Sequence, residues 1–322
     1  MSKSADVDVI ILSWNRVEDT VAAVRSATEQ VGVDHRIQIV DQGSEPGNLA
    51  ALEACLSGIP RARLHKSERN LGVAGGRNAA SAMGTARYIV ALDSDAIFAD
   101  PRSLQRAVAH LDRNPGLCAL AFRIENFYTG RNDDSSWDYP GENDPYQRFE
   151  TTRFIGAGHA IRRSTFEAVG GYDERLFFCG EELDLCYRML NTGQRIDYVP
   201  DVAIRHKVSS EHRVFWGKGR FFYTTRNNIY SSYKFGQPLP RLAVSAAAFV
   251  AKGFANGIPG EAVRAIGAAY RLCRRFDASQ EDKTPYRLSK ETWQYILDHE
   301  PSRREDALTK AARQFRKLPH QA

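Results

Sequence analysis

Three short stretches of this 322-residue chain carry residue types that could act on a charged substrate. The first is Asp93-Ser94-Asp95, directly after the apolar run Tyr88–Leu92. In extended backbone, residues i and i+2 point the same way, so both carboxylates can face one cation. Hard oxygen ligands suit Mn2+ or Mg2+, and such sites usually share the ion with substrate phosphates. A solvated turn would also tolerate this triplet. Its place at the end of a buried strand favours the ligand reading.

The second stretch is GEELDLCYR, residues 180–188. Leu183, Cys186, Tyr187 and Leu190 form one apolar helical face, and Glu181, Glu182 and Asp184 crowd its first turn. Acids there interact favourably with the helix dipole, and Asp184 can pair with Arg188 four residues on. One of the three could instead be a general base that accepts a proton from an attacking hydroxyl. Spacing alone does not choose between them.

The third stretch is NLGVAGGRN, residues 70–78. Glycines before a helix, Gly72 among them, let the backbone approach a phosphate or ribose, and Arg77 adds a cation suited to a diphosphate. No Gly-Lys-Ser/Thr follows, so this is not a Walker A loop. Asp41 closes a second strand. An acid there holds a ribose in dinucleotide folds, but those need G-x-G-x-x-G between the first two strands. Here the turn is Ser13-Trp14-Asn15-Arg16, without glycine, which argues against hydride transfer. His206 follows an apparent short strand and is a candidate third ligand beside Asp95.

These residues need a scaffold. Residues 9–12 are a continuous apolar run that reads as a strand buried on both faces, residues 36–40 read as a second strand and 88–92 as a third, buried one. A short strand is expected near 62–65. Helical patterns over 18–30, 48–56 and 76–83 separate the strands. Such alternation implies an α/β fold with a mostly parallel sheet covered by helices. Ligands then bind beyond the carboxyl ends of the strands, where each polar turn named above falls. Residues 124–152 are polar, aromatic and turn-rich, as expected of a functional loop. Beyond Gly236 the pattern is helical.

Composition bounds the rest. A chain 43% hydrophobic and 26% charged is globular rather than disordered. Five cysteines without a C-x-x-C pair argue against a disulfide framework or zinc knuckle. Residues 1–8 do not read as a signal peptide, and the apolar stretch 242–251 is too short to span a bilayer. A cytoplasmic location with at most peripheral membrane contact is expected. Net charge is a mild +5, yet residues 205–241 hold eight Lys and Arg against Glu211 alone.

In order along the chain, VIILSWNR (9–16), IVDQGS (39–44), NLGVAGGRNA (70–79), VALDSDA (90–96), residues 154–163 with Gly170-Gly171-Tyr172-Asp173, and GEELDLCYR (180–188) resemble the family-2 glycosyltransferases of the GT-A fold. The likeness runs over about residues 7–235. It implies a GT-A-like, Rossmann-related sheet, with a nucleotide half at 1–100, an acceptor half at 101–235 and a helical extension at 236–322. It also implies inverting, metal-dependent transfer from a nucleoside-diphosphate sugar, UDP or dTDP first, to an acceptor hydroxyl. By position, Ser13, Trp14, Asn15, Arg16, Asp41, Gly72, Arg77, Asp93, Ser94 and Asp95 would hold the donor nucleotide. Asp93, Asp95 and His206 would hold Mn2+ or Mg2+.

Glu182 falls where the family usually places an aspartate base, with Asp184 and Glu181 as alternatives. Trp137, His159, Arg226 and Asn227 are candidates for acceptor or diphosphate contacts. Trp137 and Tyr139 could stack on sugar rings or simply pack their loop onto the body. The basic aromatic stretch 213–233 could be a solvated face or bind a phosphorylated acceptor. Without a nucleic-acid motif, no nucleic-acid partner is expected. A glycan, a natural product or a lipid-linked molecule would each serve as acceptor, and a homodimer is compatible. Rival readings are a sugar-1-phosphate nucleotidyltransferase and a non-catalytic nucleotide- or glycan-binding module. The turn 13–16 lacks the Gly-rich, basic loop of the first, and the acids at 93, 95 and 182 argue against the second.

Overall fold

The computed structural model describes residues 5–207 and 219–300. Strand β1 (Val7–Ser13) lies between β2 (His35–Asp41) and β4 (Tyr88–Leu92), and β3 (Ala62–Lys66) closes that edge, all parallel. Helices α1 (Val17–Thr28), α2 (Pro46–Leu56) and α3 (Gly72–Ala82) make the crossovers. Register sets Ser13 opposite Asp41, so both end at one sheet edge.

The sheet continues through β8 (Gly158–Arg162), which runs antiparallel to β4 and to β6 (Leu117–Asn126). Strand β9 (Arg195–His206) pairs parallel with β6, restoring the main direction. Two short strands, β5 (Ala96–Phe98) and β7 (Phe149–Thr151), run antiparallel along β9. The sheet is therefore mostly parallel, as expected, with β5, β7 and β8 reversed.

Alternation explains why the central strands read as unbroken apolar runs. Tyr88, Val90 and Leu92 face a core shared with α1, α2 and α4 (Ser103–Arg113). Ile89 and Ala91 face the opposite core, shared with α3, α5 (Arg163–Ala168) and α6 (Glu181–Leu190). Each buried aliphatic side chain contributes about 1.5–3 kcal/mol relative to exposure, and the polar residues these strands do bury are paired, as Asp8 is with Gln38 and Arg163.

The C-terminal region is helical: α7 (Phe221–Lys234), α8 (Leu239–Ala255), α9 (Pro259–Ala278) and α10 (Lys290–His299). It does not hang free. Tyr295 and Ile296 of α10 enter the core around α6. Glu300 accepts from Tyr187 of α6 and pairs with Arg153.

One boundary differs from expectation. Helix α3 begins at Gly72, so the Gly-rich segment is its first turn rather than a loop before it. Gly72 has φ +72°, and a Cβ there would overlap the carbonyl of Phe177. A Cβ on Gly76 would press on Leu12 and Gln42. These glycines let α3 lie against the sheet and the loop before α6, instead of admitting a phosphate.

Candidate active site

The Asp93-Ser94-Asp95 turn leaves the carboxyl end of β4. Asp93 N donates to Ala157 O and Ala96 N donates back to Asp93 O, which fixes the turn before β5 begins. The β5–β9 ladder sets Ala96 opposite His206 and so brings Asp95 and His206, 111 positions apart, together. Donor atoms of Asp93, Asp95 and His206 lie within 4.8 Å of one another. His206 Nε2 is 3.3 Å from Asp95 Oδ1, and its Nδ1 is buried without a hydrogen-bond partner among the described residues. Arg16, from the turn after β1, donates to Asp95 Oδ2 at 2.7 Å. Burial opposes charge on Asp95, but His206 and Arg16 outweigh it and hold the carboxyl below its usual range. Burial likewise opposes charge on His206, and the bond to Asp95 prevails and raises its pKa.

Arg77 is the hub of the arrangement. Its side chain is 3% exposed. Nη1 donates to Glu182 Oε1 at 2.8 Å, while Nη2 donates to Asp93 Oδ1 at 3.1 Å and to Gly156 O at 2.7 Å. The guanidinium lies 5.7 Å from the Tyr172 ring centre. A Cβ at Gly156 would overlap the Glu182 carboxylate, so a side chain there would have to push the carboxylate aside and disturb its pairing with Arg77. Asn78, one residue on, exchanges two hydrogen bonds with the backbone of Tyr172, each 2.9 Å. One turn of α3 thus ties the acidic turn, α6 and the Gly-Gly-Tyr-Asp segment together.

The three acids of α6 meet different fates. The Glu182 side chain is 19% exposed and lies beside Arg77. Glu181 is buried, and burial together with the Glu182 charge pushes its carboxyl well above the usual range. Asp184 is sealed between Arg188 (2.8 Å) and Lys234 (2.5 Å). The Asp184 alternative is therefore corrected: it is an interior ion-pair partner without access to a substrate. Glu181 is corrected on the same ground of burial.

Four further expectations change. His159 is fully buried in β8, stacked on Phe154, with its ring nitrogens near Ile155 O and Tyr172 Oη. It supports the site from beneath and cannot touch an acceptor. Trp137 packs edge-on against Tyr139, Phe149 and Tyr198, which is the loop-packing alternative. Asn227 spends its amide on the carbonyls of Leu176, Phe178 and Cys179, and Arg226 donates to those of Arg175 and Leu176. Both latch the loop before α6 instead of facing a diphosphate. Of the basic stretch, residues 213–218 lie outside the described residues.

At the nucleotide edge, the Asp41 carboxylate is buried and accepts from the Ser44 amide and hydroxyl. The Ser13 hydroxyl bonds Thr20 at 3.0 Å. Asn15 (φ 54°) accepts from Glu45 N and Asn48, pinning the turn to α2. Trp14 is exposed above this edge, and Ser94 is half-buried. Sequence reasoning missed Gly156, Asn78 and the Arg16–Asp95 pair. The G-x-G of residues 156–158 was the available signal for the first.

Comparison with known proteins fits this architecture. The sequence profile described as "Glycosyl transferase family 2" matches residues 8–170, from β1 to just past α5, and stops before α6. A pre-mycofactocin glycosyltransferase of Mycobacterium tuberculosis is 29% identical over 161 residues, covering 47% of this chain and 33% of that protein. The chain thus matches only about a third of that relative's length. The mannosyltransferase PcManGT from Pyrobaculum calidifontis, solved with GDP-Man and Mn2+, aligns with TM-score 0.58 at 17% identity, covering 98% of this chain and 86% of that one. TarS 1-349 of S. aureus, solved with UDP-GlcNAc, aligns with TM-score 0.57 at 16% identity, covering 85% and 83%. These likenesses establish a GT-A fold, and with half its length matched by the profile, the chain belongs to glycosyl transferase family 2.

Proposed function

We propose that this chain transfers a sugar from a nucleoside-diphosphate sugar to an acceptor hydroxyl with inversion, Glu182 being the general base. The observation that carries the reading is the grip of Arg77 on both Asp93 and Glu182. One buried cation holds two part-exposed carboxylates, from the turn after β4 and from α6, in fixed relation. Pre-set geometry of this kind is worth several kcal/mol of barrier.

Asp93, Asp95 and His206 suit a divalent ion, Mn2+ or Mg2+, by donor chemistry and by donor atoms lying within 4.8 Å of one another. Such an ion, when bound, supplies positive charge to a leaving diphosphate. The chain's own residues do the rest. Glu182 accepts the acceptor's hydroxyl proton as the oxygen bonds the anomeric carbon and the carbon–oxygen bond to the diphosphate breaks on the opposite face. Trp14 offers a flat face to the nucleobase, with UDP or dTDP the donors to test first. No side chain is required to form a covalent intermediate.

The deciding experiment pairs Glu182→Gln with Asp184→Asn. Glu182→Gln keeps chain length but removes the proton acceptor, so kcat should fall on the order of 10²–10⁴-fold with the melting point nearly unchanged. Asp184→Asn should instead lower stability by about 3–5 kcal/mol, because Lys234 and Arg188 lose a buried partner. Full turnover by Glu182→Gln, with loss in a stably folded Asp184→Asn, would overturn the assignment.

A further inference from the structure

Helix α8 carries its apolar residues on the wrong side for a helix that packs only on its own protein. Over its 17 residues only Phe249 and Gly253 are buried, against Phe221 of α7 and Ala262 of α9. At 100° per residue the opposite arc holds Pro240, Ala243, Val244, Ala247, Ala251, Phe254 and Ala255, without a single polar side chain. Leu239 is 70% exposed, and Val244 and Phe254 are each 68% exposed. The only charges on α8 are cations, Arg241 and Lys252, both at one border of this arc.

Helix α9 adds to the pattern. Val263 and Tyr270 are exposed on it, beside exposed Arg264, Arg271, Arg274 and Arg275. From residue 236 to 278 the chain carries six Lys and Arg against Glu261 and Asp277. Exposed aliphatic and aromatic side chains bordered by arginines match an interface rich in apolar tails and anionic headgroups. No described helix is long and apolar enough to cross a membrane, so the fit is to a helix lying along the surface.

From these observations we infer that α8, with the exposed arginines of α9, docks the protein on an anionic lipid surface. The location is connected by contacts to the loop before α6. Phe221 packs on Phe249 of α8, and Arg264 of α9 lies over the Phe222 ring. The next residue, Tyr223, stacks on Phe177 in the loop that leads into α6. A docked α8 therefore sits on the side of the molecule from which the base helix is held.

Flotation of the full chain with vesicles tests this without donor, metal or turnover, so its outcome is independent of the proposed chemistry. Binding is expected to vesicles containing phosphatidylglycerol and not to pure phosphatidylcholine, weakening as salt rises. Val244→Asp with Phe254→Asp should cut partitioning roughly tenfold or more. Arg271→Gln with Arg274→Gln, which leaves the apolar arc intact, should cut it severalfold. Failure to float with anionic vesicles would overturn the inference, as would equal binding to neutral ones. So would a concentration-dependent dimer in sedimentation that the Val244/Phe254 variant dissolves, because a second copy would then be the occupant.

Discussion

His159 sits unprotonated inside β8, and that makes stability depend on pH. Burial, aided by the Arg77 charge, lowers its pKa well below the ordinary 6.5. The unfolded chain takes up that proton as pH falls through about 6.5, and the folded chain does not. The contribution is therefore complete above neutrality and shrinks on acidification, by up to about 1.4 kcal/mol per pH unit. His35 is buried and shifted the same way. His159→Gln should start less stable at pH 8 but fall less steeply between pH 7 and pH 5 in urea titrations. Parallel curves would assign the slope elsewhere. At this scale the sequence displayed the acids and Arg77 by motif, but not their partners. Arg16 meets Asp95 across 79 residues and Arg77 meets Glu182 across 105. Spacing rules reach only one helical turn or one strand pair, so such pairings have no local signature. The burial of Asp184 against Lys234, 50 positions on, was hidden for the same reason.

The elements that aim these residues differ in how freely they form. Central strands were legible because both faces are covered and their middles are rich in Val, Ile and Leu. The start of α3 was not, because glycine normally signals a turn; here it lies in the helix because close contact with β1 and with Phe177 leaves no room for a Cβ. The loop before α6 is the least regular part of the frame. Phe177, Cys179 and Gly180 have φ of 61°, 71° and 88°, a region that costs side-chain-bearing residues about 1 kcal/mol or more each. Asn227 offsets this with its hold on three carbonyls, and Phe177 O accepts from Val73 N. Asn227→Ala should lose about 1–3 kcal/mol of stability and lower kcat severalfold, with little change in donor KM. Unchanged kcat in a measurably destabilised variant would show that the latch serves folding alone.

Across the whole molecule, the sheet edge that gathers Arg16, Asp93, Asp95 and His206 should respond to ligand as one unit. Mn2+ and UDP together are expected to raise the melting temperature by several degrees, since saturation at 100 times Kd adds about 2.7 kcal/mol. EDTA should abolish the metal-dependent part, and Asp95→Asn should not show it. Equal shifts in wild type and Asp95→Asn would remove this carboxylate from the metal site. The broad architecture was legible from helix–strand alternation. The return of α10 to the core through Tyr295 and Ile296 was not, because nothing in an amphipathic helix states which surface it will cover.

Position 156 carries a consequence for how this chain can diverge. The Glu182 carboxylate lies where a Cβ on Gly156 would stand, so a side chain there would displace it from Arg77. The substitution Glu182→Asp, toward the residue more usual at this point in the resembling family, would withdraw the carboxylate by one methylene and vacate that volume. Position 156 should therefore change at lower cost after position 182 has shortened. Gly156→Ala should be strongly damaging in the wild-type background and far milder combined with Glu182→Asp, a sign of epistasis readable in a double-mutant cycle of kcat/KM. Additive effects would show that the clash is relieved by backbone movement. On this reading the order of substitutions is biased: a lineage that holds the longer acid gains by keeping the glycine, and one that has given up the glutamate can place a side chain opposite it at lower cost.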